Sequence, residues 1–295
     1  MKVITPTPIT DALFTSSTAP ETDYAAYNAG TTYALGDRRI RTSTHRIYES
    51  LTAGNIGNTP ETSPVQWLDV APTNRWAMFD SVVGTVTTLA SPLTVVLAPG
   101  AINAIALLEL VGTSVTVSMT SGGASVYSRT IGLEGSAPAD YYEYFFDPFT
   151  QRTSVVLTDL PPYANGIVTV SLTGSGSVGM GLLSVGLQTY LGDAQYGATA
   201  GITDYSLKTA DAFGNTTLTR RSYAKRTSVK LWLDKVAVNR VYRKLAELRA
   251  TPCVWVGTED ADLDPLTVFG FFKDFQLEIA YPSVALCSLE IEGMT

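Results

Sequence analysis

Residues 166–172 read Gly166-Ile167-Val168-Thr169-Val170-Ser171-Leu172, a run in which apolar and hydroxyl side chains alternate. A period of two places the apolar set on one face of a β-strand. The same alternation recurs at residues 93–97, 115–119 and 154–157, and glycine and proline stand between these runs. Short strands punctuated in this way predict an antiparallel β-sandwich over residues 78–200 and a chain that is mainly β.

The C-terminal part, residues 201–295, predicts an α+β domain with one main helix at about 234–249. Its apolar side chains recur at helical spacing, and Pro252 follows the last of them. They are Val238, Val241, Tyr242, Leu245 and Leu248. Strands are predicted on both sides of this helix, at 228–233, 253–256, 267–271, 275–279 and 285–291.

The N-terminal part divides into an arm and a small unit. Residues 1–20 are rich in Thr, Pro and Ser, and Thr5-Pro6-Thr7-Pro8 cannot be helical, so we expect an extended arm, either disordered or docked onto a neighbour. Residues 21–77 hold many aromatic side chains. They predict short strands at 31–35, 38–42 and 46–50, with Gly36-Asp37 as a turn.

Composition excludes several classes of protein. The chain has 295 residues, 45% hydrophobic and 16% charged, with a net charge of −7. A chain this apolar can bury enough surface to fold, and its length suits two or three domains. A net anion is repelled by nucleic acid. We expect no membrane insertion, because the most apolar stretch, 101–111, is far shorter than the ~20 residues of a spanning helix.

Residue types that carry chemistry are scarce. The single histidine, His45, stands among arginines, and Cys253 and Cys287 are too far apart for a CxxC motif. The acidic run 259–265 lacks the glycine and glutamate of a calcium loop and predicts a solvated turn. We therefore expect no enzyme, no metal and no cofactor; a glycan-degrading enzyme acting through paired carboxylates is the third and least favoured hypothesis.

Two surfaces are candidates for subunit contacts. The aromatic block 141–146 is expected to be a strand that exposes rings on both faces, among them Tyr141, Tyr142, Tyr144 and Phe145. Such a strand fits either a core strand that faces a partner or a sheet edge under a neighbouring chain. Ten basic residues lie between 220 and 249, and the interface candidates among them are Arg220, Arg221, Lys225 and Arg226. A nucleic-acid patch is the alternative, but the anionic remainder of the chain favours a basic surface that meets an acidic surface on another subunit.

One motif carries a family resemblance. Tyr27-Asn28 is followed by Tyr33-Ala34-Leu35-Gly36-Asp37, Arg46-Ile47-Tyr48, Asn58-Thr59-Pro60 and Trp67. In order and spacing this resembles the small chitin-binding-type carbohydrate-binding module of families 5 and 12, which implies a three-stranded sheet and sugar binding by Tyr33, Tyr48 and Trp67. Residues 50–55 lack the further aromatics usual in that family. The competing interpretation is that the three rings are the core of the module.

The whole arrangement resembles tail-tip or baseplate structural proteins of tailed bacteriophages, since a Thr/Pro arm, a sugar-binding-like module, a lectin-like sandwich and an α+β assembly domain follow one another. A chitinase would need a DxxDxDxE-like acidic motif, which is absent. The resemblance implies a distal-tail-type component of the virion, folded in the host cytoplasm. Its partners would be copies of itself, as a ring or trimer with a hexamer favoured, and other tail proteins. The alternative is a receptor-binding tail protein that grips host surface glycan through the module.

Overall fold

The computed structural model describes residues 1–135, 140–146, 151–210, 213–279 and 281–294. In agreement with the sequence-based prediction the chain is mainly β, with 51% strand and 9% helix. Its strands form two large antiparallel sheets, a three-stranded sheet and a two-stranded hairpin.

The N-terminal quarter contributes five strands: β1 (Lys2–Pro6), β2 (Phe14–Ser17), β3 (Arg38–Arg41), β4 (Arg46–Ser50) and β5 (Trp67–Pro72). Strands β3, β4 and β5 form the antiparallel three-stranded sheet of the module. The strands predicted at 38–42 and 46–50 are confirmed. The one predicted at 31–35 is wrong, because Tyr33 makes only an isolated bridge, to Asn55. Short 3-10 turns occupy Pro60–Thr62 and Ala77–Phe79.

The sandwich confirms the period-two prediction. Its elements are β6 (Thr87–Ala90), β7 (Leu93–Leu97), β8 (Ala104–Val111), β9 (Ser114–Ser121), β10 (Ala124–Gly132), α1 (Tyr141–Phe146), β11 (Val155–Leu157), β12 (Ile167–Thr173) and β13 (Ser177–Tyr190). One sheet runs β10-β9-β12-β7-β2, and the facing layer is β11-β8-β13 with β6 also on β13. Val95, Val117 and Val170 point inward and are fully buried against Leu107 and Val185 of the facing layer.

The C-terminal part contains β14 (Asp193–Ala194), β15 (Thr199–Asp204), β16 (Leu207–Ala210), β17 (Thr216–Thr219), β18 (Tyr223–Asp234), α2 (Val238–Glu247), β19 (Cys253–Val256), β20 (Thr267–Glu278) and β21 (Val284–Gly293). Helix α2 is shorter than predicted. It packs through Val241 and Leu245, with Leu248 at its end, whereas Tyr242 is half exposed. The strands predicted at 267–271 and 275–279 are one strand, β20, with a bulge between Phe272 and Asp274.

Strand β1 joins the two halves of the molecule. It pairs with β13 of the sandwich on one side and with β19 on the other, which gives one continuous sheet of eleven strands. Val3 and Ile4 are both fully buried, because successive side chains on a strand face opposite sides and each side here carries a core. The first residues of the arm are therefore neither disordered nor docked onto a neighbour; they are an interior strand of their own chain.

Candidate assembly surfaces

The three rings expected to bind sugar are buried. Tyr33, Tyr48 and Trp67 are 1%, 6% and 2% exposed, and they pack together with Tyr27 as the core of the module. The rings of Tyr33 and Trp67 meet edge to face at 5.2 Å, and the Trp67 indole N–H donates to the carbonyl of Asn58 at 2.9 Å. A sugar needs an open ring face on which to stack, and these rings offer none. In the structure the three rings therefore form the hydrophobic core of the module.

The aromatic block 141–146 is a helix, α1, and the prediction of a strand is wrong. Consecutive bulky aromatics are compatible with either element, so the pattern alone does not decide between them. Tyr141, Tyr142 and Phe145 are 85%, 67% and 68% exposed, and the side chain of Tyr144 lies outside the described residues. Exposed rings are what an interface role requires; the role itself stays a prediction.

The basic residues of 220–249 are spread over several elements. Arg220 and Arg221 are exposed between β17 and β18, and Arg226 is exposed on β18 opposite Glu292 of β21. Lys225 is partly buried, with its Nζ 3.6 Å from an oxygen of Asp264. The other basic residues lie further along β18, on α2, and just outside these two elements at Lys235 and Arg249. The basic residues near the start of β18 lie next in sequence to a hairpin formed by β16 and β17.

This element is the projecting hairpin, which we define as β16 and β17. Within the described part of the chain the two strands pair only with each other, and all eight of their residues are exposed. It continues the pairing of β15 with β18 beyond the edge of the large sheet, since Asp204 opposes Tyr223 and Leu207 then opposes Thr219. An isolated two-stranded hairpin is only marginally stable in water. No sequence prediction named this element, although alternating residues on both sides of Gly214 are a hairpin signal.

A cleft lies beside the base of the hairpin, and we call it the Glu109 cleft. Its cavity volume is about 260 Å³. The walls are mostly apolar and come from the sandwich, from β20 and from the end of β21; they include Val83, Leu108, Phe269 and Met294. Glu109, Tyr223 and Lys225 are polar members of the lining.

The backbone of Glu109 explains why a carboxylate faces this cleft. Strict alternation along β8 would place residue 109 in the sandwich core with Ile105 and Leu107. Glu109 instead has a φ of +51°, a left-handed conformation that costs a non-glycine residue about 1–2 kcal/mol. Leu110 then takes the core position, and Glu109 lies with Leu108 on the opposite side of the sheet. Within the described residues, the Glu109 carboxylate has no hydrogen bond or ion pair.

His45, the single histidine, lies between two carboxylates rather than among arginines. Its Nδ1 is 2.9 Å from Glu21 Oε1 and its Nε2 is 2.9 Å from Asp11 Oδ1. The ring stacks on Trp76 at 3.9 Å, and the backbone has a φ of +54°. Glu21 is nearly buried and also accepts a hydrogen bond from Thr73. These contacts attach the N-terminal segment to the module.

Two acids of the run 259–265 are paired with cations. Glu259 accepts from Lys2 at 2.6 Å and also from Thr158, and these hydrogen bonds hold the pKa of its carboxyl below the usual value. Asp264 pairs with Lys225 and accepts from Ser154. The run is thus tied to the rest of the fold and is not simply a solvated turn. In the described part of the chain, no group of three or more His, Cys, Asp or Glu could hold a metal ion.

The two cysteines are free and buried in the C-terminal core. Burial raises the pKa of both the Cys253 and the Cys287 thiol to about 11. Since the thiolate is the reactive form, the raised pKa leaves both thiols largely protonated and weakly nucleophilic at neutral pH.

Comparison with protein-family models finds no match to this chain, and no curated protein matches it. No helix among the described residues has the length and apolar character needed to cross a bilayer.

Proposed function

We propose that this chain is a structural component of a bacteriophage tail tip or baseplate, of the distal-tail type. It would assemble as a symmetric oligomer that links the tail tube to host-recognition parts. The phage assignment rests on the resemblance of the sequence, and the assembly role is supported by the projecting hairpin. All eight residues of that hairpin are exposed, and among the described residues its strands pair with no other strand.

Two further observations support assembly. The rings of α1 are exposed, and exposed clusters of large apolar side chains on a protein surface mark interaction sites. Residues 199–226 carry five basic and two acidic side chains, whereas the whole chain has a net charge of −7. A basic projection on an anionic molecule is electrostatically suited to another copy of the same molecule.

The receptor-binding alternative has less support, because the three rings that would grip glycan are buried. A titration with chitin oligomers followed by tryptophan fluorescence tests it. Saturable binding that Trp67→Ala abolishes without unfolding would favour this alternative over the assembly role.

The assembly role is tested by the mass of the protein in solution. Wild type should form a discrete oligomer by light scattering, seen as rings by negative-stain electron microscopy. A variant in which residues 206–221 are replaced by an Asn-Gly turn should be monomeric with an unchanged circular dichroism spectrum. Val65→Ser, which changes an exposed aliphatic side chain of the module, is the control and should leave the oligomer intact. A wild type that stays monomeric at high concentration overturns the proposal.

The tail location needs a separate test on virus particles. Mass spectrometry of particles of the phage that encodes this chain should detect it, and gold-labelled antibody should mark one end of the tail. Its absence from purified particles would remove the phage assignment.

A further inference from the structure

We propose that the projecting hairpin of one copy docks in the Glu109 cleft of a second copy, with Leu218 in the apolar part and Lys208 beside the Glu109 carboxylate. This inference rests on the proposed function, since it names the site at which copies of the chain would meet.

The cleft is suited to one aliphatic side chain and one cation. Its volume of about 260 Å³ lies just below the ~300–1,000 Å³ of pockets that take drug-sized ligands. Glu109 supplies a partly buried carboxylate that has no partner within the described residues. A carboxylate on an apolar wall is costly to desolvate further unless a cation or a hydrogen-bond donor meets it.

The left-handed backbone at Glu109 is the second feature of the cleft. Such strain persists only where the surroundings enforce it, and it concentrates at functional positions. Opposite Glu109 stands Gly181, where an added Cβ would lie 2.7 Å from the Cβ of Glu109. Glycine on β13 therefore makes room for a carboxylate that the alternation of β8 would have placed in the core.

The hairpin carries the complementary pair. Lys208 and Leu218 are direct cross-strand partners, so their side chains lie on the same face of the hairpin. Leu218 is 74% exposed, and Lys208 is exposed and has no ion pair within the described residues. An aliphatic side chain beside a cation is complementary to an apolar cleft that carries a carboxylate.

The occupant must come from another copy. Ser222 and Tyr223 line the cleft, so the cleft adjoins the base of its own hairpin. Leu218 is five residues from Tyr223 along the chain, a contour length of at most about 17 Å at about 3.4 Å per residue. Neither Lys208 nor Leu218 lines the cleft of its own chain, and both side chains are exposed, so we assign the occupant to a second copy.

This contact is heterologous, because the hairpin of one copy meets a different surface on the next. Heterologous contacts give rings when the rotation between copies closes, and filaments when it does not. The docking mode therefore agrees with the symmetric ring expected from the sequence.

Charge reversal tests the pair. Lys208→Glu and Glu109→Lys should each weaken the oligomer, with dissociation constants raised about tenfold or more by light scattering and sedimentation, because each places like charges together. The double variant Lys208→Glu/Glu109→Lys should restore the affinity to within a few-fold of wild type. Lys235→Glu, an exposed reversal of the same sign on another surface, is the matched control. Circular dichroism and thermal melting establish that each variant is folded.

The outcomes separate the two proposals. A wild-type oligomer that both single reversals leave unchanged, or two weakened single variants that the double variant does not rescue, overturns the docking site and leaves the assembly role standing. A monomeric wild type overturns both.

Discussion

His45 uses both of its ring nitrogens to hold the N-terminal segment, and its two carboxylate partners differ sharply in burial. Glu21 is 8% exposed and Asp11 is 75% exposed, although each is 2.9 Å from a nitrogen of the ring. A nearly buried acceptor that loses its charge is expected to cost more than an exposed one, because water replaces the contacts of the exposed group.

We therefore predict that Glu21→Gln destabilises the protein by about 1–3 kcal/mol. The matched change Asp11→Asn, at the other nitrogen of the same ring, should stay within about 0.5 kcal/mol. Urea unfolding followed by tryptophan fluorescence measures both, since Trp76 stacks on His45. Equal losses of unfolding free energy in the two variants would mean that the burial of the carboxylate does not determine its contribution to stability.

The ion pair of Glu259 predicts that the stability of the folded protein depends on pH. Its pKa is lowered in the folded protein, first by the hydrogen bond from Lys2 and then by that from Thr158, so its ionised form stabilises the fold. That contribution is present above the usual value of 4.5 and is lost as the pH falls through the lowered pKa.

Glu259→Gln should thus reduce stability at pH 7 by less than about 1 kcal/mol, because the side chain is 58% exposed. The difference from wild type should vanish when the pH falls below the lowered pKa, and it should shrink in high salt. Thermal melts across the acid range measure this. Glu278→Gln, which removes an exposed carboxylate without an ion pair in the described residues, should show no such trend.

At the scale of elements, the sequence predicts what local periodicity controls. The runs at 93–97, 115–119 and 166–172 became strands β7, β9 and β12, because one face of each is buried in the sandwich. Periodicity does not control which edges pair. The place of β1 between β13 and β19 depends on two strands about 185 and 250 residues away in sequence. The sequence of a five-residue strand does not indicate which strands it will pair with.

The approach of β1 to β13 gives a prediction at this scale. A Cβ at Gly186 would lie 2.0 Å from the carbonyl oxygen of Thr5, so Gly186→Ala must separate the two strands. We expect a loss of about 1–3 kcal/mol or more in unfolding free energy from denaturant titration. Gly132→Ala, in β10 with open space around its Cβ, is the control and should be neutral or slightly stabilising. A tolerated Gly186→Ala would contradict this packing of β1.

The candidate site was less predictable than the fold. The sequence motif correctly placed Tyr33, Tyr48 and Trp67 together. However, a buried aromatic cluster and an exposed one can consist of the same residue types. Only the three-dimensional packing shows that these rings face each other. The sequence did not predict the Glu109 cleft. The cleft depends on the left-handed backbone at Glu109, which interrupts the in–out alternation of β8, and on walls that come from segments far apart in sequence.

At the scale of the whole molecule, the continuous eleven-stranded sheet predicts how the chain unfolds. The sandwich and the C-terminal part share hydrogen bonds through β1, so neither can open without exposing an edge of the other. The module has only a three-stranded sheet and the core of Tyr27, Tyr33, Tyr48 and Trp67. Small units with small cores are marginally stable, so the module should be the first part to unfold.

Two single-tryptophan variants test this order, one keeping Trp67 and one keeping Trp255, with the other tryptophans changed to Phe. Each retained indole is buried and donates to a backbone carbonyl at 2.9 Å, to Asn58 from Trp67 and to Gly270 from Trp255. In urea, the fluorescence of Trp67 should change at a lower concentration than the circular dichroism of the same variant, whereas that of Trp255 should coincide with it. Gly186→Ala, introduced into each of the two backgrounds, should move the Trp255 transition in one and leave the Trp67 midpoint in the other nearly unchanged. Coincident transitions of both probes would show that the module belongs to the same cooperative unit as the large sheet.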